Sequence, residues 1–404
     1  MKRLALAFAV AGLTMTTPRS GEAVVCTVDA VPAATLLLPY FEVDLDDPNG
    51  LTTLFSINNA SSTEEIAHVV VWSDLSVPVL DFDVDLTGYA VQTINLRDIL
   101  IDGLLPSVVP SLVPGRPPTQ AQLPPFYIDH LQKSLTGHPS DLLSGLCAGR
   151  NLGDNVARGY ITADVVNDFT LRLPGDPGYL TDDLAFDNVL WGDYFYVNSA
   201  QNFADGDTLV HIEASLTDPA TTTPGRYTFY GRYANWNATD HREPLATTFA
   251  ARFVTGGDFT GGSSFVVWRD AKTNQHAFTC PATTGRPSWY PLGQETILVF
   301  DEQENPGVES SFPFSPQPPL ASIVPFQAEA QRVKVGSDFF PVPVSFGWVY
   351  LDLNTTVSGN PNPPFDPAAA QSWVTVVMDA DGRFSVGFSA IQLDSACAPN
   401  HTVP

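Results

Sequence analysis

Side chains able to do chemistry are few in this chain and widely scattered. The best pair is His211 and Glu213, which stand two residues apart in Thr208–Ala214, where Val210 and Ile212 alternate with Leu209, His211 and Glu213. Leaving one face of a strand together, they could share a metal ion or trade a proton. The loop Asp240-His241-Arg242-Glu243 could complete such a cluster; equally, Glu213 could pair with Arg242 or Arg252 and leave His211 in solvent. Calcium has its own candidate, since Asp44, Asp46 and Asp47 crowd into Asp44-Leu45-Asp46-Asp47-Pro48-Asn49-Gly50 as carboxylates do in hard-cation loops. Pro48 falls where a ligand belongs, so an ordinary Asp-Pro-Asn-Gly turn accounts for the segment as well. The row Asp81, Asp83, Asp85 reads as the wet face of a strand. Trp236, Trp289 and Tyr290 lie in polar, loop-like stretches, where their rings could stack on sugars or cap the ends of a β-sandwich.

Other chemistries find no footing. The chain has no Gly-x-Ser-x-Gly, no His-Glu-x-x-His and no glycine-rich phosphate loop after a strand. Its 44 acidic residues supply so many accidental carboxylate pairs that a glycosidase dyad cannot be read from spacing. No catalytic residue and no cofactor are expected, calcium apart.

Residues 1–23 read as an export signal: Lys2-Arg3, an apolar Leu4–Met15 too short to span a bilayer, and small residues Gly21 and Ala23 around a cleavage point. Losing them removes Lys2, Arg3, Arg19 and Glu22, leaving 16 basic against 43 acidic side chains, a net charge of about −27. Such a field repels nucleic acid and anionic lipid. No later apolar run is long enough to cross a membrane. The expected location is outside the cytoplasm, either secreted or in the periplasm or cell envelope, with an extracellular protein or glycan as partner. Cys26, Cys147, Cys280 and Cys397 form an even set in an exported chain and predict disulfides. Pairing within halves, Cys26–Cys147 and Cys280–Cys397, is the expectation.

The elements that must position these residues are strands. Leu80, Phe82, Val84 and Leu86 alternate with acids, while Val69-Val70-Val71-Trp72 and Phe265-Val266-Val267-Trp268 are apolar on both faces, as inner strands are. Ser372–Met378 and Phe384–Ala390 flank an Asp-Ala-Asp-Gly hairpin signal. Phe126–Leu135 is the one short helix. Several segments then recur in the same order. Thr52-Thr53-Leu54 is echoed by Thr247-Thr248-Phe249, and Val69–Asp74 by Phe265–Asp270. Gln92–Asp98 is echoed by Glu295–Asp301, Gly159–Val165 by Gly347–Leu353, and Ala204-Asp205-Gly206 by Ala380-Asp381-Gly382. On this pairing Trp72 and Trp268 are core, Asp74 and Asp270 cap turns, and Asp164 and Asp352 brace the interior.

The reading is all-β: a tandem duplication of an antiparallel β-sandwich, immunoglobulin-like or jelly-roll-like, with about eight strands per copy. Copy 1 spans 24–220 with a proline-rich insert at about 100–158, and copy 2 spans 221–404 with one at about 302–345. Strands are expected at 227–233 and 276–280, and none within the second insert. Phe55-Ser56-Ile57-Asn58-Asn59 resembles the second-to-third strand region of immunoglobulin-like modules in bacterial exported proteins. Leu38-Pro39-Tyr40-Phe41-Glu42-Val43-Asp44 and Asn188-Val189-Leu190-Trp191-Gly192-Asp193-Tyr194 resemble stretches of uncharacterised secreted bacterial β-rich proteins, a likeness that implies no activity. The expected function is non-enzymatic binding or structure at a cell surface or outside the cell, the alternative being a secreted carbohydrate-binding or carbohydrate-hydrolysing protein.

Overall fold

The computed structural model describes residues 31–106, 122–226, 228–270, 276–280, 287, 289–292, 296–303, 326–338, 340–342, 344–353 and 371–393. Residues 1–23, Cys26 and Cys397 lie outside them. The protein is mostly β, with four antiparallel sheets and few helices. The first half carries β1 (Thr35–Asp44), β2 (Thr52–Asn59), β3 (Glu65–Ser73), β4 (Pro78–Leu86), β5 (Val91–Asn95) and helix α1 (Pro125–Leu135). It continues with β6 (Val156–Val166), β7 (Leu190–Trp191), β8 (Asp193–Asn198), β9 (Phe203–Thr208) and β10 (Val210–Ile212). After the short α2 (Pro219–Thr222) come β11 (Thr248–Val254), β12 (Gly262–Arg269), β13 (Thr296–Asp301) and β14 (Ala330–Lys334). The last strands are β15 (Phe346–Asp352), β16 (Ser372–Asp379), β17 (Ser385–Ser389) and β18 (Ile391–Gln392). Helix α1 opens on Pro125, a position where proline forfeits no helical hydrogen bond.

Sheet I runs β5-β2-β8-β9, with β7 paired to β2, and sheet II runs β10-β1-β6-β3-β4. Sheet III runs β14-β12-β16-β17 and sheet IV β13-β15-β11-β18. Sheet II packs against sheets I and III, sheets I and III also meet along β9 and β17, and sheet III packs against sheet IV. Sheet III explains why β12 and β16 are apolar throughout. Val266, Trp268, Trp373 and Val377 join the core of the first half, while Phe265, Val267, Val374 and Val376 face sheet IV. Sheet II is likewise covered on both sides, so Val69, Val70, Val71 and Trp72 are all buried. The interiors of the halves are therefore not separate, because one cluster runs across the boundary.

The two pairs of sheets follow one order of connection. Matching β1 with β11, β2 with β12, β3 with β13 and β5 with β14 brings β6, β8, β9 and β10 onto β15, β16, β17 and β18, and leaves β4 without a counterpart. Side chains follow the same frame. Thr35 opposes Asp164, Phe41 opposes Gly159 and Trp72 opposes Tyr160; Thr248 opposes Asp352, Phe253 opposes Gly347 and Phe300 opposes Trp348. Both glycines are obligatory, since a Cβ would stand 1.9 Å from the Trp72 carbonyl at Gly159 and 2.0 Å from the Phe300 carbonyl at Gly347. This frame keeps the echo of Gly159–Val165 with Gly347–Leu353 but sets those of Thr52–Leu54, Val69–Asp74 and Gln92–Asp98 on strands that do not correspond, so Trp72 and Trp268 are both core residues at unmatched positions. The first strand of each set is central, whereas an immunoglobulin domain carries its first strand at an edge.

Four other expectations change. Residues 228–233 form turns rather than a strand, and at 276–280 Phe278 makes only one bridge, to Cys147. The second insert holds β14, whose alternation in Ala330–Lys334 is too short to stand out after the prolines. The half-wise disulfides are overturned, because Cys147 pairs with Cys280 at a Cα separation of 5.5 Å and ties the halves together. Among the described residues no helix is long and apolar enough to cross a membrane.

Candidate functional site

A cleft of about 1150 Å³ opens between the halves, and it gathers cations that this acidic chain otherwise spreads thinly. Sheet II contributes Tyr40 and Glu42 from β1 and Arg158 from β6; β14 contributes Arg332 and Lys334; the loop after α1 contributes Arg150. Tyr290, Gln327, Gln331 and Asn151 add a ring and planar amides, and Asp379 and Asp381 close one end. The Cys147–Cys280 disulfide also lies in the wall.

The cations differ in how much of their hydrogen-bonding capacity is spent. Arg158 is saturated: Nη1 and Nη2 grip Asp154 at 2.6 and 2.8 Å, and Nε reaches Glu42 at 3.3 Å. Burial opposes its charge, but those hydrogen bonds and carboxylates hold its pKa above the ordinary arginine value. Arg150 is anchored from behind, its backbone N–H and Nε donating to Asp74 at 3.0 and 2.5 Å. Burial disfavours this charge too, and Asp74 outweighs it. The two terminal nitrogens of Arg150 donate to no described residue, which leaves them for the cleft. Arg332 makes one long ion pair, 3.5 Å to Glu42, and lies over the Phe203 ring 5.9 Å from its centroid, while Lys334 has no ion pair among the described residues. Glu42 is the hub, accepting from the Tyr40 hydroxyl at 2.9 Å while the two guanidinium groups flank it. Burial, then the Glu42 charge, raises the Tyr40 pKa well above its ordinary value.

The Glu42–Arg158 pair belongs to the first half alone. It adjoins Phe41–Gly159 in the β1–β6 register, and the corresponding place beside Phe253–Gly347 holds Val254 and Phe346. A charged pair replacing an apolar one at matched positions is the signal that could have led to this site. The echo of Gly159 in Gly347 sets Arg158 against Phe346, but the echo of β2 in β11 hides the match of Glu42 with Val254.

The residues singled out in the sequence fall elsewhere, Tyr290 excepted. His211 is buried, its Nε2 accepting from the Gly192 N–H at 3.3 Å, and burial lowers its pKa; Glu213 lies beyond the end of β10. Arg242 turns to Asp164 and Asp240 rather than to Glu213. Asp44 accepts from the backbone N–H of Asp46 and Asp47, Asp47 from that of Asn49, and Asp46 from the Asn155 amide. Arg97 takes the carbonyls of Asp44, Gly50 and Leu51, so a guanidinium already occupies the oxygens that a cation would use. Among the described residues no three His, Cys, Asp or Glu side chains gather as a metal-ligand group. Trp236 and Trp289 are buried and offer no face to a sugar, while Tyr290 lines the cleft with its hydroxyl on Gln327 at 2.9 Å. Asp83 is not on a wet face but bonds the buried His68 ring at 2.7 Å. Asp74 and Asp270 prove to be buried partners of Arg150 and Arg232, not turn caps.

Compared with known protein families, curated proteins and solved structures, the chain finds no match in any of the three.

Proposed function

We propose that this is an exported, non-enzymatic binding protein that takes an anionic ligand into the cleft between its halves. On this reading the halves are duplicated two-sheet sandwiches, of the broad class that immunoglobulin-like and jelly-roll modules share. Their joint forms the site while each half keeps its own core strands. The observation that carries the proposal is the set of unspent donors in the cleft. Among the described residues Arg150 keeps two terminal nitrogens without an acceptor, Arg332 has one long ion pair and Lys334 has no ion pair, in a chain with 44 acidic residues against 19 basic ones. Arginine held from behind by a buried acid is oriented before any ligand arrives, and its planar fork suits carboxylate or sulfate. Tyr290 and the amides of Gln327, Gln331 and Asn151 suit a hydroxyl-rich neighbour, which favours an acidic saccharide.

The chain without residues 1–23 should bind acidic members of a glycan array. Arg150→Gln or Lys334→Gln should weaken that binding about tenfold or more, with a reduced salt dependence. Binding that ignores both substitutions would remove the cleft from the argument. A carbohydrate-active alternative is favoured by Glu42 and Asp379 lining the same cleft as Tyr290. Sugar hydrolysis lost in Glu42→Gln would establish it in place of simple binding.

A further inference from the structure

Sheets I and III share one strand order, and one face of each is comparable residue by residue. Facing inward, Phe55 of sheet I opposes Tyr194, and three residues on Asn58 opposes Trp191. In sheet III Phe265 opposes Val376, and three residues on Trp268 opposes Trp373. Trp191 therefore holds the place of Trp373, and Phe195 that of Val377. The sheet III pair is sealed in the core shared with the first half, at 7% and 2% exposure. The sheet I pair is bare: Trp191 is 42% and Phe195 46% exposed, with Val91 at 63% beside them. Phe195 lies flat over Gly206, where a Cβ would stand 2.5 Å from the ring. A face of the kind that closes a seam is thus left open at one end of the stack.

Its complement stands at the other end. The face of sheet II that receives sheet III carries Trp72 stacked on Tyr160, and the matching outer face of sheet IV carries Phe300 stacked on Trp348, centroids 4.0 Å apart. Phe346 is 39% exposed on that face, and Arg252 opposes Trp348 across β11 and β15. On the bare face of sheet I, Asp193 projects on the same side as Phe195 two residues away. The two ends are alike in apolar character, and Arg252 and Asp193 are opposite in charge, with Asp352 at the far end of β15 on the sheet IV face.

We propose that the bare face of sheet I docks on the outer face of sheet IV of a second copy of this chain, so that molecules join head to tail and repeat between chains the seam found within one. Such an interface is heterologous and leaves a free end on every assembly, so it grows rather than closing as a dimer. Four strands ~4.8 Å apart and six residues at ~3.3 Å each give a footprint of about 400 Å² a side, well below a standard interface. Association is accordingly weak and confined to high local concentration. It is independent of what the cleft binds.

Sedimentation velocity and light scattering on the chain without residues 1–23, from low to high micromolar, should show mass rising past the dimer. Phe195→Asp alone and Trp348→Asp alone should each remain monomeric. Mixed in equal amounts, they should form a one-to-one dimer and nothing larger, because only one competent pair of faces then exists. Should Trp348→Asp fail to fold, Arg252→Glu on the exposed part of the same face replaces it, weakening association about tenfold with thermal unfolding unchanged. Constant mass at every concentration overturns the proposal. So does growth that stops at a dimer and is blocked by Phe195→Asp but by neither sheet IV variant, since sheet I would then be pairing with itself.

Discussion

The same frame is used twice in this molecule, and the two uses are buried to different depths. In sheet II, Asp164 is fully buried, accepting from Thr35 at 2.5 Å, Tyr179 at 2.6 Å and Tyr230 at 2.7 Å, with Arg242 Nε 3.6 Å away. Asp352, at the matching register position opposite Thr248, is only half-buried on the outer face of sheet IV. Trp72 and Tyr160 stack in the interior, whereas Phe300 and Trp348 stack half-exposed. What separates them is cover. Sheet II is buried on both faces, whereas the outer face of sheet IV is part-exposed. A residue's place in the repeated frame sets its strand and its partner across the ladder, and its place in the stack sets what it contributes to stability.

That contrast gives the largest expected effect. Asp164→Ala should destabilise the protein by about 3–5 kcal/mol, because it leaves the fully buried Arg242 with Asp240 as its only carboxylate among the described residues and takes the acceptor from two phenol hydroxyls. Asp352→Ala should cost no more than about 1–2 kcal/mol. Chemical denaturation of the two variants checks the pair; equal losses would mean that cover is not what distinguishes the halves. The aromatic partners should repeat the pattern on a smaller scale. Trp72→Ala should cost about 3–5 kcal/mol and leave Thr162 without the indole donor now 3.0 Å away, while Trp348→Ala should cost about 1–2 kcal/mol.

How much of this was legible follows from the same contrast. Strand content, the short helix and the burial of Trp72 and Trp268 could be read from periodicity, because alternation reports local exposure. Alignment of the halves could not. Val69–Trp72 and Phe265–Trp268 are alike because both lie in sheets covered on both faces, so their likeness records burial and not position. Trp236 and Trp289 have polar neighbours in sequence yet are packed inside, since neighbours along a loop do not determine what folds over it. The cleft was invisible for a different reason. Its cations come from three separate segments, around residues 150, 158 and 332, and Arg150 finds its anchor Asp74 76 positions away. No spacing rule spans such distances. Only Tyr290 was singled out at the right place, for its ring.

The smallest effect lies at the joint itself, where the edges of sheets I and III meet along β9 and β17. Asp205 of β9 is pressed against Gly387 of β17, its carboxylate 2.4 Å from where a Cβ would be, and Ser389 donates to Asp207 at 2.7 Å. Burial pushes the Asp205 carboxyl up to about 6, against the pull of the Gly206 N–H and the Arg332 charge. Below the ordinary aspartate pKa near 4 both folded and unfolded chains hold this proton. Between about 4 and 6 only the folded chain does, so this residue's contribution to stability declines as pH rises through that window and stays low above it. Asp205→Asn should therefore stabilise the protein at pH 7, by on the order of 1–2 kcal/mol after allowance for solvent screening, and change little at pH 4. Melting curves of parent and variant across this range would cross-check the seam. A variant offset that is the same at pH 4 and pH 7 would mean that the carboxyl is not held in the joint, and that the two edges meet less closely than the contact with Gly387 requires.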